Sequence, residues 1–345
     1  MLLGSTLFYA AASFAAVGDI MDSFLFAVNA IAPIIIMVAI GYFLKRLGLI
    51  SPEMTRGLHK LVFRLFLPAM LFLNVYRIES FSGIDLGYVF FAVIITLIVF
   101  VISIPLVLMI TKEGSRRGVL LQTTFRANYA LVGLALASSL AGDEGEMIAA
   151  LLSAFIIPIF NVLAVICLSV FSENAKPSFS GILLGIIKNP LIIGVLLGCA
   201  ALLIRMPLEH FGVSFRLSDV TPIFKVLEYL SSVATPIALL VLGAQFEFSA
   251  IGALKKEIIF GVFMRTVLIP AVCLVAAYLI GGFNAAHFAS FVALFCTPVA
   301  VSSVPMAQEM GGDTALAGQL VVFSTLFSAL TIFVASFLLR FVGVF

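Results

Sequence analysis

The chain has 345 residues, of which 63% are hydrophobic and only 10% are charged, and its mean hydropathy is +1.26. A water-soluble domain carries about 25% charged residues, so this composition excludes a soluble enzyme and indicates an all-α, multi-pass integral membrane protein. The 19 basic and 17 acidic residues give a formal net charge of +2. That balance excludes a protein that binds nucleic acid.

The first 20 residues are apolar but contain no Lys or Arg. They therefore lack the basic region with which a secretory signal peptide begins. We interpret residues 1–22 as an N-terminal tail or interfacial segment, and an eleventh helix in this stretch is the alternative.

The remaining chain divides into apolar runs of membrane-spanning length. A hydrocarbon core of about 30 Å requires about 20 helical residues at a rise of about 1.5 Å each. Dividing the sequence at charge clusters and at Gly, Pro and Ser punctuation predicts ten transmembrane helices. They cover residues 23–44, 57–77, 86–111, 118–141, 147–171, 180–204, 220–246, 257–281, 287–308 and 315–339.

The basic residues predict how these helices cross the bilayer, because Lys and Arg in short loops stay on the cytoplasmic side. With ten spans, one face carries four basic residues, Arg77, Arg205, Arg216 and Arg340, and the opposite face carries eleven. We therefore place both termini outside the cytoplasm. The basic-rich face contains Lys45, Arg46, Arg56, Lys60, Lys112, Arg116, Arg117, Lys176, Lys188, Lys255 and Lys256.

Two short patterns recur in the second half of the chain. The fourth span ends near Gly142-Asp143 and the ninth near Gly312-Asp313, and the second and seventh spans carry Pro68 and Pro236 at similar offsets. Two repeats of five spans explain this pattern, and an odd number of spans inverts the second repeat in the bilayer. The predicted repeats are residues 23–172 and 180–345.

The fourth and ninth spans carry residues that interrupt helices. Asn128 lies about 15 Å into the fourth span, and Pro298 about 16 Å into the ninth, counted at helical rise. Both positions fall near the middle of the membrane, where irregular backbone is tolerated only if it lines a protein cavity. The predicted helix-break residues are Asn128, Gly133, Pro298 and Pro305.

Two interrupted helices that cross would direct free N–H groups and positive dipole ends at one point, which suits an anion. Arg126 adds a full charge there, and a carboxylate substrate is its simplest partner. The alternative is that Arg126 pairs structurally with a carbonyl or with a polar group of another span. The predicted substrate-binding residues are Arg126, Asn128, Tyr129, Asn161, Thr297, Pro298, Ser302 and Ser303.

Other polar residues have simpler expected roles. Arg64 and Arg265 enter their spans from the cytoplasmic side, so we expect their side chains to extend to the interface. Gly194 and Gly198 favour close helix packing. The cysteines form no CxxC pair and the histidines fall at span ends, so we expect neither a metal site nor a cofactor.

Several motifs together resemble one family of membrane transporters. They are FRANYALVGLALASSLAGDEG in the fourth span, IKNPLIIGVLLG at the sixth, TPIALLVLGAQ in the seventh and TPVAVSSVPMAQEMGGDTALAGQ in the ninth and tenth. From about Ala27 onward the chain is similar to the auxin efflux carrier family, which comprises the plant PIN-formed carriers and bacterial permeases for malate and malonate.

The resemblance implies a fold similar to that of the bile-acid/sodium symporters, with ten helices in two inverted repeats and crossing helices 4 and 9. Helices 1, 2, 6 and 7 would form a scaffold that makes a homodimer. Helices 3–5 and 8–10 would form a transport domain that moves as an elevator. The family commonly has Gly-Leu-Pro where this chain has Gly133-Leu134-Ala135, so the break in helix 4 would depend on Asn128 and Gly133.

We therefore expect a secondary transporter of small organic anions, auxin-like or malate-like, in the cell (inner) membrane. A sodium-coupled symporter of amphipathic anions such as bile acids is the alternative on the same fold, and a non-transporting receptor is a further one. An intramembrane enzyme is not expected, because the sequence has no HExxH or GxGD motif.

Overall fold

The structure is a computed structural model that describes residues 28–29, 32–77, 85–172, 179–210 and 216–345. The predicted N-terminal tail, residues 1–22, lies outside these ranges. The described chain is built from helices joined by short turns.

Fourteen helices are described, and we number them in chain order. The long helix Tyr129–Val170 is divided at Ala141 and Gly142, whose backbone angles are not helical, into α5 and α6. The helices are α1 (32–46), α2 (Pro52–Tyr76), α3 (Leu86–Ile110), α4 (Gly114–Phe125), α5 (129–140), α6 (143–170), α7 (Phe179–Lys188), α8 (Pro190–His210), α9 (Thr221–Gln245), α10 (Ala250–Ala253), α11 (Lys255–Ile280), α12 (Ala285–Cys296), α13 (Ser303–Glu309) and α14 (Thr314–Phe341).

Six helices in the described ranges are long and apolar enough to cross a membrane, with α5 and α6 taken as one helix. The predicted first, fourth, sixth and ninth spans coincide instead with shorter or interrupted helices. These are α1, the pair α4 and α5, the pair α7 and α8, and the pair α12 and α13.

Prolines inside α2 and α11 follow a wider, π-helical turn in each case. Pro68 follows the π turn Val62–Phe66, and Pro270 follows Met264–Leu268. A proline has no N–H and its ring clashes with the carbonyl four residues earlier. In α11 that carbonyl belongs to Thr266, and it accepts a hydrogen bond from Thr331 Oγ1 at 2.6 Å. A neighbouring helix thus supplies the donor that lipid cannot.

Glycines allow the close contacts among α1, α2, α8 and α9. A Cβ atom on Gly243 of α9 would lie 1.9 Å from the carbonyl oxygen of Val38 in α1. One on Gly194 of α8 would lie 2.5 Å from the carbonyl oxygen of Pro68. Close backbone approach through small residues is the usual basis of helix association in lipid, and the predicted packing role of Gly194 is confirmed.

An ionic cluster joins the beginnings of α4, α11 and α14. Arg116 lies 3.1 Å from Glu257 and 3.1 Å from Asp313. Asp313 also caps α14, because its carboxylate accepts a hydrogen bond from the Leu316 amide at 2.9 Å. The second of the recurrent Gly-Asp turns therefore has a structural role at this end of the molecule.

We expect Gly243→Ala to lower the free energy of unfolding by about 1 to 3 kcal/mol, the usual cost of overpacking. The added methyl group would force α1 and α9 apart. The measurement is the thermal unfolding midpoint of the purified protein in detergent. Gly252→Ala is the matched control, since a Cβ atom there meets nothing within 4 Å; equal midpoints for the two variants would contradict the packing argument.

Candidate functional site

Two interrupted helices meet in the interior of the protein. The chain leaves helical geometry between α4 and α5 and again between α12 and α13, and the two stretches pair antiparallel at Ala127 and Val299. The Asn128 amide donates to the Pro298 carbonyl at 2.7 Å, and the Ala300 amide donates to the Arg126 carbonyl at 3.3 Å. Each interruption thus supplies partners for the other, which buried irregular backbone requires.

We call the paired stretches between α4 and α5 and between α12 and α13 the crossing. A cavity of about 50 Å³ lies beside it. Since one water needs about 10 to 15 Å³ by this kind of measure, there is room for a few water molecules or one small polar group. Residues from α2, α6 and α9 form the walls opposite and beside the crossing. The lining is Leu67, Met70, Leu71, Arg126, Ala127, Asn128, Tyr129, Ala130, Leu131, Ile157, Phe160, Asn161, Thr235, Ala238, Ala300, Val301 and Ser302.

The guanidinium of Arg126 is buried at one wall of the cavity, with 3% of the residue exposed. It donates to Gln122 Oε1 at 2.8 Å, to Asn161 Oδ1 at 2.9 Å and to Ser302 Oγ at 2.9 Å, and it contacts the sulfur of Met306. Side-chain oxygens of α4, of α6 and of Ser302, which precedes α13, therefore position Arg126. All of these partners are neutral, so they orient the charge without cancelling it.

Among the described acidic side chains, only Glu257 is buried, and it pairs with Arg116 at the end of the molecule. No carboxylate in the described ranges contacts Arg126. A buried ion without a counter-ion is costly. An anion that enters the cavity would relieve that cost.

Unused hydrogen-bond donors face the same cavity. The Asn128 side chain is 4% exposed, and its Nδ2 atom has no partner in the described structure. The amides of Tyr129, Ala130 and Leu131 open α5, and first-turn amides have no acceptor within their own helix. These residues line the cavity, so neutral donors and a positive helix end lie beside the Arg126 charge.

Five of the eight predicted binding residues line this cavity: Arg126, Asn128, Tyr129, Asn161 and Ser302. The other three do not. The Thr297 hydroxyl donates to the Ala293 carbonyl at 2.7 Å, Pro298 uses its carbonyl to hold Asn128, and the buried Ser303 Oγ has no partner.

Two of the four predicted break residues, Gly133 and Pro305, lie within helical turns beside the interruptions. Gly133 lies in the π turn Tyr129–Gly133 at the start of α5, where a Cβ atom would be 2.7 Å from the Tyr129 ring and 3.3 Å from the Ala293 carbonyl. Its absent side chain therefore lets α5 approach α12. Pro305 is the third residue of α13, where the missing N–H has no intrahelical acceptor.

The prediction for Arg265 was wrong. Its side chain does not reach the interface but is buried, with 1% of the residue exposed. It donates from Nε to the Thr297 carbonyl at 2.9 Å and from Nη2 to the Leu294 carbonyl at 2.9 Å. These carbonyls belong to the end of α12, and the interruption leaves them without helical partners. Arg64, by contrast, has a side chain that is 61% exposed, as expected.

Three further residues support the crossing. Tyr129 hydrogen-bonds Ser290 Oγ at 2.7 Å and donates to the Ala149 carbonyl at 3.1 Å, while Tyr88 donates to Ser290 from α3. Gln122 lies one helical turn before Arg126, and this i, i+4 spacing is the one sequence signal that could have identified it. Tyr88 and Ser290 are separated from Tyr129 by long stretches of chain and give no such signal.

A family model described as membrane transport protein matches residues 26–336, which is most of the chain. No curated protein matches the chain.

We expect Arg265→Met to destabilise the protein by about 1 to 3 kcal/mol for each buried carbonyl that loses its donor. Arg265→Lys should restore part of the stability, because an ammonium can reach one carbonyl but cannot bridge two. Thermal unfolding in detergent measures both effects. Arg64→Met is the control, since the same change is made at an exposed position; equal midpoints for Arg64→Met and Arg265→Met would refute the capping role.

Proposed function

The chain belongs to the membrane transport protein family, which is the auxin efflux carrier family, and we propose that it carries small organic anions across the cell membrane. In this proposal it is a secondary transporter and not an enzyme. The anion binds in the cavity beside Arg126 and is exposed to each side of the membrane in turn.

The observation that carries the proposal is the uncompensated charge of Arg126. Neutral acceptors hold the guanidinium at the cavity wall, and no described carboxylate touches it. A carboxylate is the fitting ligand, because its two oxygens accept several hydrogen bonds and carry the opposite charge. Asn128 Nδ2 and the first amides of α5 would be its donors.

The cavity lies between α2 and α9 on one side and the crossing and α6 on the other, which supports a movement of the crossing relative to α2 and α9. One wall belongs to α2 and α9, and the others belong to the crossing and to α6. Sliding the crossing against α2 and α9 would therefore carry the bound anion along. We assign α1, α2, α7–α8 and α9 to a dimerising scaffold, and α3–α6 and α11–α14 to an elevator-type transport domain.

This division corresponds to ten spans in two inverted repeats, residues 23–172 and 180–345. Each repeat contributes one interrupted helix to the crossing. The glycine contacts that join α1 to α9 and α2 to α8 support a common scaffold. In this arrangement the beginnings of α2, α4, α11 and α14 face the cytoplasm, and both termini lie outside.

A sodium-coupled symporter of amphipathic anions is the second candidate. The apolar part of the cavity lining, which includes Leu67, Met70, Ile157 and Phe160, favours a ligand with an apolar body. Replacing sodium with potassium in a vesicle assay separates the two candidates, because only a sodium-coupled carrier would lose accumulation.

We expect Arg126→Gln to weaken carboxylate binding by about ten- to a hundredfold, the equivalent of about 1.5 to 3 kcal/mol for a hydrogen bond to a charged group. Asn128→Ala should weaken it by about two- to tenfold. That variant removes no protein partner of Nδ2, so the folded protein should be little affected. Binding is measured as the ligand-induced thermal shift of the purified protein, and transport as counterflow in liposomes.

Arg64→Gln is the matched control for Arg126→Gln, because Arg64 is exposed and makes only a long ion pair, 3.8 Å from Glu309, within the described ranges. Carboxylate-induced shifts and counterflow that survive Arg126→Gln would remove the site assignment. If Arg126→Gln and Arg64→Gln both lost counterflow with normal unfolding midpoints, the loss could not be assigned to the charge of Arg126, and the site assignment would fail.

A further inference from the structure

A second, larger cavity opens at the end of the molecule where α2 and α14 begin. Its volume is about 420 Å³, within the range of small-molecule sites, about 300 to 1,000 Å³. We call it the end cleft. One side belongs to α1, α2 and α9 and the other to α13 and α14. Its lining residues are Lys45, Ile50, Pro52, Thr55, Arg56, Ala244, Gln245, Glu247, Gln308, Thr314 and Ala315.

The charged side chains that line the end cleft carry a net positive charge. Lys45 lies 4.0 Å from Glu247, whose side chain is 60% exposed, so the two partly offset each other. Arg56 is exposed and makes no hydrogen bond or ion pair with any residue in the described ranges. The other polar groups, Gln245 and Gln308 among them, are neutral. The cleft therefore offers one unpaired guanidinium among amides and hydroxyls.

The end cleft and the cavity beside Arg126 lie along the same interface. On α2 the two linings are separated by the stretch from Arg56 to Leu67, about 16 Å at helical rise. On α9 they are separated by the stretch from Ala238 to Ala244, about 9 Å. On the other side, Ser302 lines the cavity and Gln308 lines the cleft. A ligand that left the cavity along this interface toward the beginning of α2 would enter the end cleft.

A polar contact closes the scaffold side between the two spaces. His59 is fully buried, and its Nε2 atom lies 2.7 Å from Gln245 Oε1, which joins α2 to α9. Gln245 is itself part of the cleft lining. The floor of the cleft is thus a hydrogen-bonded wall between α2 and α9, and in the proposed elevator movement α13 is the side that moves relative to it.

We propose that the end cleft is a docking site where small organic carboxylates from the cytoplasm bind to Arg56 and Lys45 before they reach Arg126. This inference rests on the proposed function. Fixed cations in a concave site raise the local concentration of anions and the rate at which they arrive, and salt screens the effect.

The test uses a cysteine placed in the cleft as a reporter of its potential. Gln308→Cys is labelled in the purified full-length protein with a sulfonate-bearing thiol reagent and, separately, with a trimethylammonium-bearing one. Gly57→Cys is the control on α2, outside the cleft lining, and Thr314→Cys is a second reporter within it. The unsubstituted protein gives the background from Cys199, because Cys167, Cys273 and Cys296 are buried.

The measured quantity is the labelling rate with the anionic reagent divided by the rate with the cationic reagent. We expect this ratio to be about three- to tenfold higher for Gln308→Cys than for Gly57→Cys. Adding Lys45→Gln and Arg56→Gln should reduce that preference to the control level, and so should high salt. Lys112→Gln with Lys255→Gln removes two exposed positive charges outside the cleft lining and should leave it unchanged. Malonate should slow the labelling of Gln308→Cys but not of Gly57→Cys.

Repeating the assay with Arg126→Gln separates the docking site from the central cavity. Protection by malonate should persist in that variant, because the cleft has its own cations. Loss of protection would place the malonate beside Arg126 and overturn the docking site, as would an equal reagent preference at the two cysteines. The proposed anion site beside Arg126 has its own test, since it fails if carboxylate-induced shifts and counterflow survive Arg126→Gln.

Discussion

The structure depends on one constraint, which is that backbone groups inside a membrane must find partners within the protein. Two helices are interrupted in the interior, and each interruption is possible because the other lies beside it. Asn128 bonds to the Pro298 carbonyl and Ala300 to the Arg126 carbonyl, while Ser324 accepts from the Val299 amide. The donors that remain unused, Asn128 Nδ2 and the first amides of α5, belong to residues that line the cavity. The same interruption therefore creates both the need for backbone partners and the free donors that we propose bind an anion.

Two buried arginines serve the crossing in opposite ways. Arg265 donates to the Leu294 and Thr297 carbonyls at the negative end of α12, so its charge is directed at partial negative charges of the backbone. Arg126 is held instead by side-chain oxygens of Gln122, Asn161 and Ser302, and its charge faces the cavity. The two interrupted helices thus follow similar backbone paths, but the charges beside their interruptions have different partners. We therefore place the proposed anion site beside Arg126, at the interruption between α4 and α5.

The sequence predicted the bounds of several long helices well and the orientation of side chains around each helix axis poorly. Hydropathy and punctuation identified α3 and α9 to within a residue or so, because leaving the apolar run ends the helix. They could not distinguish Arg64 from Arg265, which lie at comparable positions in the π turns of α2 and α11. Only packing decides that one points outward and the other inward. Asn128 and Pro298 were identifiable because a polar amide and a missing N–H each disturb a helix locally, whereas the role of Ser290 depends on Tyr88 and Tyr129, far away in the chain.

Neutral partners around Arg126 are what a reversible anion site requires. A carboxylate from the protein would satisfy the guanidinium permanently, and a substrate anion would then have to displace it at the cost of leaving that carboxylate buried and unpaired. Amide and hydroxyl oxygens avoid this competition, because they fix the geometry of the guanidinium and leave its net charge for the ligand. In the proposed site they would also limit affinity, since the guanidinium is already hydrogen-bonded and an anion would add only its charge and its bonds to the donors of Asn128 and α5. A carrier must release what it binds, and a cation held only by neutral groups meets both demands.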